Sequence, residues 1–100
     1  MMRLMQPADI AQVYQIEVAV QSHPWSEKQF QEALENYQST VIEQQGKVVG
    51  FCILQPVLDE ANLLLMAIDP KMQGRGLGFE LLSYSLTQTP NSDSKLLQSR

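Results

Sequence analysis

Three glycines in five positions, Gly74, Gly76 and Gly78, constrain the fold of this chain more than any other feature. They follow residues 61–68, which are apolar apart from Asn62, and precede a stretch whose leucines recur at helical spacing. Glycine adopts backbone conformations closed to other residues and lets a ligand approach its N–H group closely. A helix N-terminus adds unpaired N–H donors and the positive end of the helix dipole. The pattern therefore predicts a strand, a loop and a helix, with a phosphate or pyrophosphate bound where the loop meets the helix.

The spacing of the glycines discriminates among phosphate-binding loops. The dinucleotide fingerprint G-x-G-x-x-G, placed from Gly74, requires a glycine at a position occupied by Phe79. A P-loop requires Lys-Ser or Lys-Thr after the glycines, and neither dipeptide follows them. The spacing therefore excludes a dinucleotide-binding loop and a P-loop. One alternative without a ligand also remains, in which the glycines serve only the conformation of the turn between the strand and the helix.

Two helices and an antiparallel hairpin are predicted before the apolar run. The first helix follows a short strand at residues 3–6 and carries apolar residues at helical spacing; these are Ile10, Val13, Tyr14 and Val20. The second begins at Ser26, with Gln29 as capping-box partner and with Trp25 and Phe30 placed as a hydrophobic staple. Residues 40–42 and 48–54 then flank a predicted turn at Gln45-Gly46.

The predicted domain covers residues 1–88. The apolar run at 61–68 suits a strand covered on both faces, although periodicity alone does not exclude a buried helix. The helix after the glycines is expected to end near Gln88. Residues 89–100 have no sustained period and are predicted to form an irregular tail.

Composition limits the compartment and the partners. The net charge of −4 argues against nucleic acid as a partner for the surface as a whole. The single cysteine, Cys52, lies between apolar neighbours and is predicted to be a buried thiol, which suggests the cytoplasm. No stretch approaches the roughly 20 apolar residues that span a bilayer, so no membrane association is expected. His23 is the only histidine, and no metal site is predicted.

Residues 69–78, Asp-Pro-Lys-Met-Gln-Gly-Arg-Gly-Leu-Gly, resemble the Q/R-x-x-G-x-G/A motif of the GNAT superfamily of N-acetyltransferases. Residues 23–28 and 57–61 resemble its RimI-type members, which acetylate the N-terminal alanine of small-ribosomal-subunit protein 18. The resemblance implies an α/β GNAT fold with antiparallel strands, two N-terminal helices and a cofactor-binding helix. It implies acetyl-CoA as cosubstrate and a ribosomal protein N-terminal peptide as acceptor.

The resemblance also implies which residues hold acetyl-CoA. The strand backbone of Met66, Ala67 and Ile68 would contact the acetyl and pantetheine portion. The phosphates would lie on the residues of the loop and the helix start: Gly74, Arg75, Gly76, Leu77, Gly78 and Phe79.

The family's catalytic segments are not found in this sequence. Its members carry Leu-Glu-Val-Arg, whose glutamate is the general base, and a Tyr-x-x-x-Gly-Phe segment whose tyrosine is the acid; neither occurs here. Asp59, Glu60 and Tyr84 are poor substitutes, so no catalytic residue is assigned and weak or absent turnover is expected.

Two alternatives remain open. One is a non-catalytic acetyl-CoA-binding or interaction module, in which the exposed edge of the strand at 61–68 pairs with a second copy. The other is a GNAT enzyme for small amines.

Overall fold

A five-stranded sheet, in the order β1-β2-β3-β4-β5, forms the centre of the computed structural model, which describes residues 1–89 and the backbone of residues 95–97. Neighbouring strands are antiparallel from β1 to β4, and β5 runs parallel to β4. The strands are β1 (Met2–Leu4), β2 (Gln38–Gln44), β3 (Lys47–Val57), β4 (Glu60–Ile68) and β5 (Lys95–Leu97). The antiparallel N-terminal strands predicted from the sequence are confirmed.

Within the described residues, three α-helices cover the two faces of the sheet. They are α1 (Ile10–Val20), α2 (Glu27–Asn36) and α3 (Leu77–Thr87), and short 3₁₀ turns at Pro7–Asp9 and Pro70–Met72 precede α1 and α3. Apolar residues of α1 and α2 pack with Phe51 and Ala67 on one face. Leu81 of α3 packs with Cys52 and Ile68 on the other face. In the part of the chain described, no helix is long and apolar enough to cross a membrane.

The start of α2 is as predicted. The Ser26 side chain accepts a hydrogen bond from the Gln29 N–H at 3.2 Å, and the Gln29 side chain accepts one from the Ser26 N–H at 2.9 Å. The rings of Trp25 and Phe30 lie 5.4 Å apart, and Phe30 meets Phe51 edge-on at 5.3 Å. Local capping and core packing therefore fix the same helix start.

The predicted hairpin turn between β2 and β3 is confirmed. Gln45 and Gly46 have φ values of 53° and 79°, and Gln44 pairs with Lys47 across the turn. Two consecutive positive φ values match the twist of the flanking strands.

Strand β4 is confirmed. The prediction that both of its faces are covered is wrong for its central residues. Residues 63–66 are half-buried. The register with β3 shifts at Ile53/Leu54, where Ile53 faces Leu65 and Leu54 faces Leu63, so Leu64 is an extra residue in a β-bulge. On the other side, β5 pairs only with residues 60–62. The central residues stay partly open because the described sheet has no further strand beside them.

The predicted irregular tail is corrected at residues 95–97. This segment forms β5, which pairs in parallel with β4 as Glu60↔Lys95, Ala61↔Leu96 and Asn62↔Leu97. Its three residues are too few to show a period in the sequence, whereas β4 supplies backbone partners for them. The rest of the prediction, at residues 90–94 and 98–100, lies outside the described residues. The edge of β4 is thus covered at its start and open from Leu63 onward in the described structure.

One position of α1 differs from the predicted apolar face. Val20, expected to face the core, is 37% exposed, whereas Glu17 is fully buried. Val20 lies at the end of α1, beyond the part of the helix that the core covers, while Glu17 lies one turn after the buried Val13.

Candidate functional site

The connection from β4 to α3 is built on Asp69. Its backbone N–H donates to the Val49 carbonyl at 2.8 Å, which fixes the end of β4 against β3. Its carboxylate accepts from the Lys71 N–H at 3.0 Å, and its carbonyl accepts from the Met72 N–H at 2.8 Å. Pro70 opens the 3₁₀ turn between them, where its fixed φ suits the first position. The Asp-Pro pair therefore ends the strand and sets the direction of the loop.

The loop that follows requires two of its three glycines for their conformation. Gly74 and Gly76 have φ values of 82° and 77°, in the left-handed region, and nothing in the structure lies within 4 Å of a Cβ placed at either position. Gly78 is helical and belongs to α3. The Gln73 side chain donates to the Ile68 carbonyl at 3.1 Å and ties the loop to the strand end. Space beside Gly74 and Gly76 is therefore left open on the outer side of the loop.

The first turn of α3 offers backbone donors. Gly76 is the N-cap residue and has no side chain to accept from the helix, so the N–H groups of Leu77, Gly78 and Phe79 have no hydrogen-bond partner among the described residues. The Glu80 N–H is the first to bond back, to the Gly76 carbonyl at 3.2 Å. Three free donors and the positive end of the helix dipole suit an anion such as a diphosphate.

The end of β4 lies directly beside this helix start. A Cβ placed on Gly78 would lie 3.9 Å from side-chain atoms of both Ile68 and Met66, an ordinary contact distance. The outer edge of β4 has no strand partner from Leu63 onward in the described part of the chain. The structure therefore brings the predicted strand residues, Met66, Ala67 and Ile68, to the same place as the predicted loop and helix residues, Gly74 to Phe79.

A groove of about 310 Å³ lies on the α2 side of β4. Its lining residues are Trp25, Gln29, Glu32, Asn36, Tyr37 and Leu64. The groove combines aromatic walls with amide groups and one carboxylate, and it reaches β4 at the bulge residue Leu64.

Glu17 holds the connection that carries Trp25, a role that the sequence reasoning missed. One oxygen of its carboxylate accepts from the Trp25 N–H at 2.9 Å. The other, Oε1, is buried without a hydrogen-bond partner in the described structure. Burial raises the pKa of the Glu17 carboxyl, and the bond from Trp25 opposes that rise. The available signal was a charged residue on the otherwise apolar face of a predicted helix.

The remaining candidates for chemistry stay outside the site. Cys52 is fully buried, and burial raises the pKa of its thiol to about 11, so it is a core residue as predicted. Asp59 lies in the exposed turn between β3 and β4. Among the described side chains, no three of His, Cys, Asp or Glu are grouped to hold a metal ion.

Comparison with known proteins agrees with this geometry. The Acetyltransferase (GNAT) family matches residues 10–96. The ribosomal protein bS18-alanine N-acetyltransferase of Escherichia coli strain K12 is 39% identical over 85 residues, which cover 84% of this chain and 57% of that protein. Its crystal structure superposes with a TM-score of 0.77 and covers 84% of this chain and 55% of that one.

A second solved structure was obtained with a ligand. A GNAT family acetyltransferase from Brucella melitensis, in complex with acetyl-CoA, is 25% identical with a TM-score of 0.72; the match covers all of this chain and 76% of that one.

The chain spans just over half the length of its Escherichia coli relative. The predicted GNAT fold and family resemblance are nevertheless confirmed by the family match, which extends from α1 into β5. This chain belongs to the Acetyltransferase (GNAT) family.

Proposed function

We propose that this protein is an acetyl-CoA-dependent N-acetyltransferase acting on a protein N-terminal amine, with the N-terminal alanine of a small-subunit ribosomal protein as acceptor. The observation that carries the proposal is the junction of β4 and α3, where positive-φ glycines and a free helix N-terminus adjoin an open strand edge. The name of the Escherichia coli relative supports the acceptor, and the Brucella complex supports the cosubstrate. A ribosomal acceptor implies a cytoplasmic location.

The loop and the first turn of α3 would hold the phosphates of acetyl-CoA. Their backbone N–H groups, from Gly74 to Phe79, offer several donors to one diphosphate, and Arg75 adds a positive charge. The positive φ values of Gly74 and Gly76 leave the outer side of the loop free of side-chain atoms. A diphosphate would therefore approach the backbone directly.

The open edge of β4 would hold the pantetheine and acetyl portion. Met66, Ala67 and Ile68 form the end of that edge, beyond the residues that pair with β5. When bound, acetyl-CoA supplies a thioester whose carbonyl carbon an unprotonated amine can attack. A backbone N–H of β4 directed at the carbonyl oxygen would stabilise the negative charge that develops there.

The groove on the α2 side of β4 would receive the acceptor peptide. Trp25 and Tyr37 provide its apolar walls, and the Glu17 carboxylate holds Trp25 through the backbone. An α-amine has a reference pKa of about 7.7–8.0, so a base assists its attack by removing the proton. No described residue is assigned to that role, because Asp59 lies in an exposed turn and Glu32, the carboxylate of the groove, is exposed on α2.

Acetyl-CoA binding tests the cradle through a matched pair of glycines. Gly76 and Gly46 have φ values of 77° and 79°, and neither has any atom within 4 Å of a placed Cβ. Gly76→Ala is expected to weaken acetyl-CoA binding by at least about tenfold, because the new methyl group would occupy ligand space; both variants should lose about 1–2 kcal/mol of stability. Isothermal titration calorimetry measures the affinity and urea unfolding measures the stability.

Gly46→Ala is the control, since it carries the same backbone strain in the hairpin turn. Both variants are compared on 3′-dephospho-acetyl-CoA, so that a contact of the hairpin with the 3′-phosphate cannot contribute. Equal losses of affinity in the two variants would show that strain alone reduces binding, and would contradict the cradle. Wild-type protein that binds no acetyl-CoA would contradict the proposed function itself.

The acceptor is tested by following thiol release from acetyl-CoA with an alanine-starting peptide and with a polyamine. We expect the chain to transfer acetyl groups weakly or not at all, because no base is assigned, and we expect any transfer to favour the peptide. Turnover comparable to that of the Escherichia coli relative would refute the first expectation. Faster transfer to the polyamine would refute the proposed acceptor in favour of a small-amine enzyme.

The open edge of β4 favours one alternative, an interaction module. On the edge that faces away from β3, residues 63–68 have no strand partner in the described structure, and such an edge is a template for pairing with a second chain. Self-association through this edge stays a prediction.

A further inference from the structure

A cleft of about 440 Å³ lies between the β2–β3 hairpin and the connection from β4 to α3. The hairpin lies on the β3 side of β4, whereas the open edge of β4 faces away from β3. The cleft is therefore separate from that edge. Its lining residues are Gln44, Gln45, Lys47, Val49, Asp69, Lys71, Met72 and Arg75.

Positive charge is concentrated in this cleft. Of the five lysine and arginine side chains that the structure describes, three line it: Lys47, Lys71 and Arg75. All three are exposed, and none forms an ion pair within the described part of the chain. The chain as a whole carries a net charge of −4, so the cleft differs in sign from the average surface. Unpaired cations that converge on one concave surface attract an anion.

One carboxylate also lines the cleft, and the fold already uses it. The Asp69 carboxylate accepts from the Lys71 backbone N–H at 3.0 Å and caps the 3₁₀ turn. The amide side chains of Gln44 and Gln45 add neutral donors. With three cations against one carboxylate, the cleft remains cationic.

The cleft adjoins the proposed phosphate cradle at Arg75, which lies between Gly74 and Gly76 and lines both. Coenzyme A carries two separate phosphate groups, a diphosphate and a 3′-phosphate monoester, joined by one ribose. A diphosphate held at the start of α3 therefore places the monoester within one sugar's length. Lys71, in the 3₁₀ turn before the loop, and Lys47, on the hairpin, are the other two cations that line the cleft with Arg75.

We propose that this cleft binds the 3′-phosphate of coenzyme A through Lys47 and Lys71, while Arg75, which the cleft shares with the cradle, contacts the diphosphate. The proposal rests on the proposed function, since it requires the diphosphate to lie on the glycine loop. It assigns to the β2–β3 hairpin, and to Lys47 in particular, a part in cosubstrate recognition. The protein would therefore bind coenzyme A more tightly than nucleotides that lack a 3′-phosphate.

The test compares the affinities of coenzyme A and 3′-dephospho-coenzyme A by calorimetry. Wild-type protein is expected to bind coenzyme A about tenfold more tightly, the size expected for two exposed charge-assisted contacts. The double variant Lys47→Ala/Lys71→Ala is expected to bind both nucleotides equally, at the affinity of wild type for the dephospho form. Lys28→Glu is the control, because it changes the formal charge by the same two units at an exposed position on α2.

Each possible result either supports or contradicts the binding of the 3′-phosphate in the cleft. Equal binding of both nucleotides by wild type, or a preference that survives in the double variant, would overturn it while leaving the cradle intact. Loss of the preference in Lys28→Glu would attribute it to overall charge and also overturn it. Inorganic phosphate that displaces neither nucleotide supports the assignment, whereas phosphate that removes the preference at low concentration would make the cleft a free-phosphate site. Failure of wild type to bind either nucleotide would contradict the proposed function.

Discussion

Two regions of this protein use positively charged side chains in opposite ways. Arg3 donates to both oxygens of Asp9, at 2.8 and 3.0 Å, and to Glu43 at 2.8 Å. Lys47 and Lys71 have no ion-pair partner in the described structure. The first region ties β1 to β2 and to the turn before α1, whereas the second leaves its charge for a ligand. Charge that is already satisfied stabilises the fold, and charge that is left unsatisfied beside a loop is available for binding.

The electrostatics of the Arg3 region reflect that pairing. Hydrogen bonds to Asp9 and Glu43 raise the pKa of the Arg3 guanidinium. The same contact lowers the pKa of Asp9, against the effect of its burial. The Asp9 side chain is only 8% exposed, so loss of its cation would leave a poorly solvated carboxylate.

The largest effect is expected from Arg3→Ala. The variant should lose about 2 kcal/mol of unfolding free energy, because three hydrogen bonds to carboxylates disappear and Asp9 keeps only the bond from the Gln6 N–H. Urea unfolding measures the loss.

Lys71→Ala removes the same charge from the cleft and serves as the comparison. Its stability should stay within about 0.5 kcal/mol of wild type, as for an exposed residue without partners. Equal losses in the two variants would remove the distinction between a structural and a binding cation.

A smaller effect on the free energy of unfolding is expected when the pH is lowered. Because the folded pKa of Asp9 lies below its unfolded value of about 3.9, its contribution is fully present above that value and is lost as pH falls through the folded pKa. Wild type should therefore lose more stability than Arg3→Ala when unfolding is measured at about pH 6 and again at about pH 2.5. Parallel losses in both proteins would mean that Arg3 does not lower the pKa of Asp9.

The sequence predicted those parts of the structure that depend on residues close together in the chain. Ser26 and Gln29 cap α2 through bonds three residues apart, and Gly74 and Gly76 take conformations that their own lack of a side chain permits. These features depend on local chemistry, so a single pass along the chain finds them. The strand, loop and helix of the candidate site were predicted for that reason.

Features set by distant contacts were missed. Lys47 reaches the cleft because the β2–β3 hairpin ends beside the loop after β4, and no short-range pattern records that approach. Strand β5 exists through pairing with residues 60–62, and Glu17 is buried because the connection at Trp25 folds over it. In each case the sheet order, rather than the local sequence, supplies the partner.

Glu17 also links folding to the exchange of protons with the solvent. Burial raises the pKa of its carboxyl, so the folded chain holds a proton there over a pH range in which the unfolded chain has released it. Folding thus takes up a proton at Glu17, whereas it releases one at Asp9 at lower pH. Across the Glu17 range, stability falls as pH rises, and the heat measured on folding includes the ionisation heat of the buffer. The carboxylate that holds the wall of the proposed acceptor groove therefore makes this small domain a proton acceptor when it folds.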